Sequence, residues 1–307
     1  MSEPAPGPMD DSPDVSVVLP VYNESLHLEQ EISRIRASLE SSPYSFEIVV
    51  VDDGSTDGSD ERLKQIDGIR LITFTTNRGS GTARRLGTEA ARGRIVVWTD
   101  VDMTYPNDEI PQLVKELEGY DQVVGARRTE EGTAKFIRVP VKWFIRRLAA
   151  YLVSTRIPDL NSGFRAFRRD VGVQFTDQLP KGFSCVTTLT MSFLTSGYSV
   201  KYIPIDYAER SGHSKFHWWR DTQQYITQVV RLVMSYDPLR VFVPLGMALT
   251  MLAVGKLSFD LVAHPLRVAT NTLLIFFAAF QAFAIGLIAD LVVRLNKGSH
   301  RVPPASF

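Results

Sequence analysis

Asp100-Val101-Asp102 sets two carboxylates one residue apart at the end of a β-branched run, Arg94 to Thr99. In a bend, such a pair converges on one hard cation. Mg2+ or Mn2+ takes oxygen ligands and keeps water and substrate phosphates for its other positions. Without a cation the two acids repel, so a solvated acidic turn is the competing reading. Three further polar clusters each follow a short apolar run. Pro20-Val21-Tyr22-Asn23-Glu24 follows Val15 to Leu19, Asp52-Asp53-Gly54-Ser55 follows Glu47 to Val51, and Asn77-Arg78-Gly79-Ser80-Gly81 follows Arg70 to Phe74. One such cluster is ordinary turn chemistry, because Asp, Asn, Gly and Ser dominate turns. Four at the same end of successive strands describe a ligand-binding edge.

The intervening segments supply the elements that hold this edge. The four runs read as buried strands, and Gln122 to Gly125 as a fifth. Leu28, Ile32, Ile35 and Leu39 recur at helical spacing. Asp57 to Gln65 reads as a short helix, and Gly79 to Ala91 as a longer one whose glycine-rich start serves as a cap or allows close packing. Strands alternating with helices imply an α/β fold with a mostly parallel sheet and right-handed crossovers.

Composition narrows the class. The 307 residues suffice for one large α/β domain with appendages, and Lys plus Arg (34) balance Asp plus Glu (34), which argues against nucleic acid as a partner. The single cysteine, Cys185, excludes an internal disulfide and fits a reducing compartment. No G-x-G-x-x-G follows the first strand, and no G-x-x-x-x-G-K-[ST] occurs, so neither a dinucleotide fingerprint nor a P-loop is present. Residues 1–13, rich in Pro, Ser and acid, read as a disordered tail.

Val15-Ser-Val-Val-Leu-Pro-Val-Tyr-Asn-Glu24, Val51-Asp-Asp-Gly-Ser-Thr-Asp-Gly58 and Thr99-Asp-Val-Asp-Met-Thr-Tyr-Pro106 resemble family 2 glycosyltransferases of the GT-A fold. Asp159-Leu-Asn-Ser-Gly-Phe-Arg165 and Arg210-Ser-Gly-His-Ser-Lys-Phe216 resemble the dolichyl-phosphate mannose synthase and polyprenyl-phosphate glycosyltransferase branch. The resemblance implies inverting transfer of a hexose from a nucleotide-diphosphate sugar, UDP-glucose or GDP-mannose, to a polyprenyl or dolichyl phosphate. It implies that Pro20, Tyr22 and Glu24 frame the nucleoside and that Asp52 or Asp53 accepts a hydrogen bond from the base. Asp100 and Asp102 would hold Mg2+ or Mn2+ and the diphosphate. Arg127, Arg210 and Lys215 would neutralise the leaving group. The acceptor side would comprise Asp159, Ser162, Arg165 and Ser214. The family often has Ala between the acids and Gln two residues after the second; Val101 and Thr104 stand there, so Thr104 is the expected third metal ligand, through its hydroxyl or through water. The interval from Arg210 to Lys215 is one shorter than in the eukaryotic mannose synthases. A processive polysaccharide synthase is the rival enzyme, but its Q-x-x-R-W motif is incomplete at Gln228-Val-Val-Arg231-Leu232. An idle membrane scaffold is the rival outside enzymology.

The C-terminal third addresses a membrane. Val241 to Gly255 and Val268 to Ala289 are uncharged, and the second matches the ~20 residues that cross a bilayer core. They read as a transmembrane hairpin over 238–295, with Lys256 snorkelling to the far interface and Asp260 lying near the turn. Arg231, Arg240, Arg294, Lys297 and Arg301 flank one side, which points to the cytoplasm for the catalytic domain and the 296–307 tail. Lys135 to Ser154 and a juxtamembrane helix over 217–237 mix aromatic and cationic residues, as the headgroup layer favours. Arg138 or Lys142 would then bind the acceptor phosphate. The catalytic domain spans 14–216, and the hairpin offers a surface for a homo-oligomer.

Overall fold

The computed structural model describes residues 12–128, 157–182, 184–208, 234, 237–263 and 268–298. The expectations for the N-terminal tail, for Lys135 to Ser154 and for most of 217–237 and 296–307 therefore lie outside the described residues. The chain divides into two compact units, Met1–Lys215 and Phe216–Phe307.

The first unit is built on seven strands: β1 (Val15–Val21), β2 (Phe46–Asp52), β3 (Ile69–Thr73), β4 (Ile95–Trp98), β5 (Gln122–Arg127), β6 (Arg165–Arg168) and β7 (Val200–Ile205). Helices α1 (Leu28–Glu40), α2 (Ser59–Leu63), α3 (Ser80–Ala90), α4 (Ile110–Lys115), α5 (Arg169–Gly172) and α6 (Cys185–Thr195) alternate with them. The strand order is β3-β2-β1-β4-β6-β5-β7. The sheet is parallel except at β6, which runs antiparallel to β4 and β5. The strands expected from hydrophobic runs are β1 to β5. Sequence reading did not find β6 or β7, and β6 is the mixed element of the sheet. Its four residues, Arg-Ala-Phe-Arg, are too short and too charged to announce a strand.

Two apolar layers flank the sheet, as expected where both faces are covered by helices. Leu28, Ile32, Ile35 and Leu39 of α1 pack with Val15, Val17, Leu19 and Val21. On the other face Val18, Val49, Val96 and Trp98 pack with Phe167, Leu189 and Phe193.

The second unit contains α7 (Leu239–Ala263) and α8 (Thr270–Gly298). Both are long and apolar enough to cross a bilayer core. They pack through reciprocal glycine sockets. A Cβ on Gly246 would lie 2.7 Å from the Phe283 ring, and one on Gly286 would lie 2.6 Å from Phe242 Cβ. Small residues that admit a partner's bulk are the usual helix contact in lipid. Leu245, Met251, Phe259, Phe277, Phe280 and Ile288 face outward. Lys256 Nζ is 2.5 Å from Asp260 Oδ1. Asp260 is buried and also accepts from the Thr272 hydroxyl, so it clasps α7 to α8 rather than standing as a lone interfacial acid.

Candidate active site

β1 is flanked by β2 on one side and β4 on the other. The chain winds outward from β1 to β3 and then returns to the opposite side. Crossovers therefore diverge at the carboxyl ends of β1 and β4, which opens a crevice at the topological switch point. The four polar clusters lie on this edge.

The loops after β1 and β2 are laced together. Asn23 adopts φ 56°, a region that Asn tolerates better than most residues, and its Oδ1 accepts from Thr56 N at 2.8 Å. Ser55 Oγ accepts from Asn23 N, Ser59 Oγ from Glu24 N and Asp57 Oδ2 from Ser25 N. Burial alone would raise the Asp57 pKa, but the hydrogen bonds from Ser59 and Ser25 outweigh it and hold the group at about 2 against an ordinary 3.8. A depressed folded-state pKa stabilises the fold above the unfolded value. That stabilisation is fully present above pH 3.8 and is lost as pH falls through about 2. Acid unfolding of Asp57→Asn should therefore show a shallower loss of stability between about pH 4 and pH 2 than the wild type. Equal slopes would remove Asp57 from the acid transition.

Pro20 and Glu24 are half-buried beside this lacing and Tyr22 is exposed. The two acids after β2 play different parts. Asp53 Oδ1 and Oδ2 accept from the backbone N–H groups of Arg78 and Gly79, at 2.7 and 2.8 Å. Burial, with Asp52 adjacent, raises the Asp53 pKa despite these two donors. Asp52 Oδ1 accepts from Ser55 N, whereas its buried Oδ2 has no hydrogen-bond partner. Asp53 is thus a structural staple between two loops, and Asp52 retains an acceptor for a ligand.

The glycines after β3 serve packing. Gly79 has φ 94°, and a Cβ on Gly81 would stand 2.0 Å from the Pro180 carbonyl. The start of α3 therefore abuts the backbone of 180–182, with Gly81 N donating to Lys181 O at 2.7 Å.

Asp100 and Asp102 sit on a braced turn. Met103 adopts φ 64°, an uncommon conformation for a residue with a side chain. Asn107 donates to the Asp100 carbonyl and to the buried Glu31 of α1, and accepts from Thr99 Oγ1. Asp100 Oδ1 is 2.5 Å from Arg84 Nη2. Asp102 Oδ1 accepts from the Thr104 hydroxyl at 2.5 Å and from Thr104 N at 3.3 Å. The buried Thr104 hydroxyl thus spends its proton on aiming Asp102. Among the described residues no trio of His, Cys, Asp and Glu forms a protein-only metal cage. A carboxylate pair beside a diphosphate is the donor set that suits Mg2+ or Mn2+ rather than zinc.

Asp159 and Arg127, expected on opposite sides of the reaction, form a bidentate pair. Arg127 Nε lies 2.7 Å from Asp159 Oδ2, and Nη2 3.0 Å from Oδ1. Burial would raise the Asp159 pKa, but Arg127 lowers it below the usual carboxylate range. Arg127 also lies over the Tyr207 ring, 5.2 Å from its centroid. The rest of the Asn-Ser-Gly-Phe-Arg stretch points inward. Gly163 N donates to the buried Tyr105 hydroxyl at 2.7 Å, and Phe164 stacks on Tyr105. Arg165 is fully buried and donates to the Val186 carbonyl, to Thr190 Oγ1 and to the Ser162 carbonyl. Ser162 is equally buried. Ser162 and Arg165, expected on the acceptor side, are thus both buried, and Arg165 supports the loop from beneath. Arg138, Lys142, Arg210, Ser214 and Lys215 lie outside the described residues.

Sequence reading missed Arg84, Glu31, Asn107 and Tyr105. Arg84 left one signal: on α3 it shares the buried face with Gly81, Gly87 and Thr88, where a charge needs a partner.

The model of glycosyl transferase family 2 matches residues 16–172, about half of the chain. The chain belongs to glycosyl transferase family 2. A second model, the GtrB C-terminal hairpin, matches 237–295 and covers α7 and most of α8. Among curated family relatives, an undecaprenyl-phosphate 4-deoxy-4-formamido-L-arabinose transferase of Aeromonas hydrophila is 34% identical over 51% of this chain and 49% of its own length. The chain thus matches about half of that protein. The transferase of the same name from Pseudomonas fluorescens is 29% identical over 92% of this chain and 85% of its own. Among solved structures, the glucosyl-3-phosphoglycerate synthase of Mycobacterium tuberculosis in complex with Mn2+, uridine diphosphate and glucosyl-3-phosphoglycerate superposes with a TM-score of 0.57. The two are 23% identical over 73% of this chain and 80% of the other, a likeness of fold.

Proposed function

We propose that this protein is an inverting glycosyltransferase that moves a hexose from a nucleotide-diphosphate sugar, UDP-glucose or GDP-mannose, to a polyprenyl phosphate at a membrane surface. The observation that carries the proposal is the braced Asp100/Asp102 pair at the switch point of a family 2 sheet, in a chain that also carries an apolar hairpin. Relatives named as undecaprenyl-phosphate sugar transferases support the lipid acceptor. The unpartnered Asp52 Oδ2 accepts the ring N–H of the base, while Pro20, Tyr22 and Glu24 border the nucleoside. Asp100 and Asp102 hold Mg2+ or Mn2+, which neutralises the departing diphosphate when bound. Thr104 keeps Asp102 aimed. A phosphate monoester has its second pKa near ~6 and is largely ionised at neutral pH, so its oxygen attacks the anomeric carbon without a strong general base. Catalysis then rests on position and charge. Arg210 and Lys215 supply donors to the diphosphate, and Arg138 or Lys142 to the acceptor phosphate. Arg127 contributes less net charge than a lone cation would, because Asp159 offsets it. The basic residues flanking the hairpin favour the cytoplasmic side for the catalytic domain.

The test uses the purified full chain in bilayers with polyprenyl phosphate, Mg2+ or Mn2+, and radiolabelled UDP-glucose, GDP-mannose or UDP-N-acetylhexosamine in turn. Metal-dependent label in the organic phase from one donor is expected. Transfer to a soluble phosphate such as phosphoglycerate, with none to lipid, would overturn the acceptor. Nucleotide binding without transfer to either would overturn the enzyme reading.

A further inference from the structure

Beneath the Asp100 turn lies a layer that the proposed chemistry does not use. Arg84, on α3, is 1% exposed. Its Nη2 meets Asp100 Oδ1 at 2.5 Å, its Nη1 lies 4.0 Å from the Cys185 sulfur, and its buried Nε has no hydrogen-bond partner. The guanidinium carbon is 5.7 Å from the centroid of the Trp98 ring. Arg165 is 6.0 Å from the same ring, and its described partners are carbonyls and a threonine hydroxyl. Two buried guanidinium groups therefore share one tryptophan. Asp100 is the one carboxylate paired with Arg84 among the described residues. Burying a guanidinium is costly unless a partner offsets it, so Arg84 binds Asp100 firmly and carries away much of its charge. Gly163 closes the arrangement from the other side: a Cβ there would stand 3.1 Å from both Arg84 Nη2 and Asp100 Oδ2.

We propose that Arg84 is a positioning residue that holds Asp100 in one orientation and offsets its charge, so that the Asp100/Asp102 pair binds a divalent cation well only when a nucleotide diphosphate is also present. The inference rests on the reading of Asp100 and Asp102 as metal ligands. Arg84 offsets one of the two negative charges of the pair. The diphosphate supplies the missing anionic oxygens. The two ligands then bind cooperatively, and by linkage each raises the affinity of the other by the same factor. A cation without a donor is held weakly, and so is a donor without a cation.

Mn2+ binding to the full chain in detergent is measured by titration calorimetry, with and without UDP or GDP. The set is the wild type, Arg84→Met, Arg84→Gln and Arg84→Lys. Asp100 keeps a 27% exposed side chain, so water reaches it in the variants that lack the Arg84 charge. In the wild type the matching nucleotide should raise Mn2+ affinity at least tenfold. Arg84→Met should bind Mn2+ alone about tenfold more tightly than the wild type and lose most of the nucleotide effect. Arg84→Gln, which keeps a hydrogen bond but no charge, should behave alike and serves if the methionine variant does not fold. Arg84→Lys should stay within about threefold of the wild type. Unchanged or weaker Mn2+ binding in both neutral variants, with the nucleotide effect intact, overturns the role of Arg84 alone. A wild type that takes up Mn2+ neither alone nor with either nucleotide overturns the metal reading and this inference with it.

Discussion

Replacing Asp102 by asparagine should lower the rate of sugar transfer about 10²- to 10³-fold at saturating donor. Asparagine keeps the shape of the side chain and an oxygen for the Thr104 hydroxyl, which otherwise loses a bond of 2.5 Å. What disappears is a negative charge at the point where the cation and the diphosphate meet. The effect should therefore fall on the rate and on metal dependence, with the melting temperature close to that of the wild type. Initial rates over a range of Mn2+ concentration, alongside a thermal melt, separate the two. Activity within about threefold of the wild type at all metal concentrations would show that Asp102 holds no catalytic metal.

Asp159→Ala should have the largest effect on stability. Asp159 is buried and meets Arg127 through two side-chain hydrogen bonds, while its oxygens also accept from Asn161 N and Arg127 N. Truncation leaves a mostly buried guanidinium unpaired, for which a loss of about 3–5 kcal/mol is typical. For a unit of this size that corresponds to a fall in melting temperature of roughly 6–20 °C. The double variant Arg127→Met/Asp159→Ala should recover much of the loss, because the unpaired charge is then gone. A double-mutant cycle on the melting transition measures this. Additive losses would mean that the two side chains do not depend on one another.

The amino-acid sequence by itself determined the strands β1 to β5, the first helix, the apolar hairpin and the edge on which the ligand chemistry gathers. These are local properties. Val-Ser-Val-Val-Leu can bury itself only as a sheet strand here, Leu28, Ile32, Ile35 and Leu39 can share a face only on a helix, and turn residues must follow strands. Two acids one residue apart raise a cation site, beside the rival of a solvated acidic turn, without any tertiary information. The tertiary structure decided what depends on distant partners. β6 is a strand because its backbone fills the gap between β4 and β5, which no property of Arg-Ala-Phe-Arg requires. Asp52 and Asp53 are identical in sequence terms, yet the loop after β3 brings two N–H groups to Asp53 and leaves an oxygen of Asp52 for a ligand. Arg127 and Asp159 lie 32 residues apart and reveal their pairing only in space. Arg165 is expected on the acceptor side from sequence and Arg84 draws no expectation at all, because arginine is seldom buried. The fold turns both beneath the Asp100 turn, where the cost of enclosing a charge is met by a carboxylate for one and by carbonyls and a hydroxyl for the other.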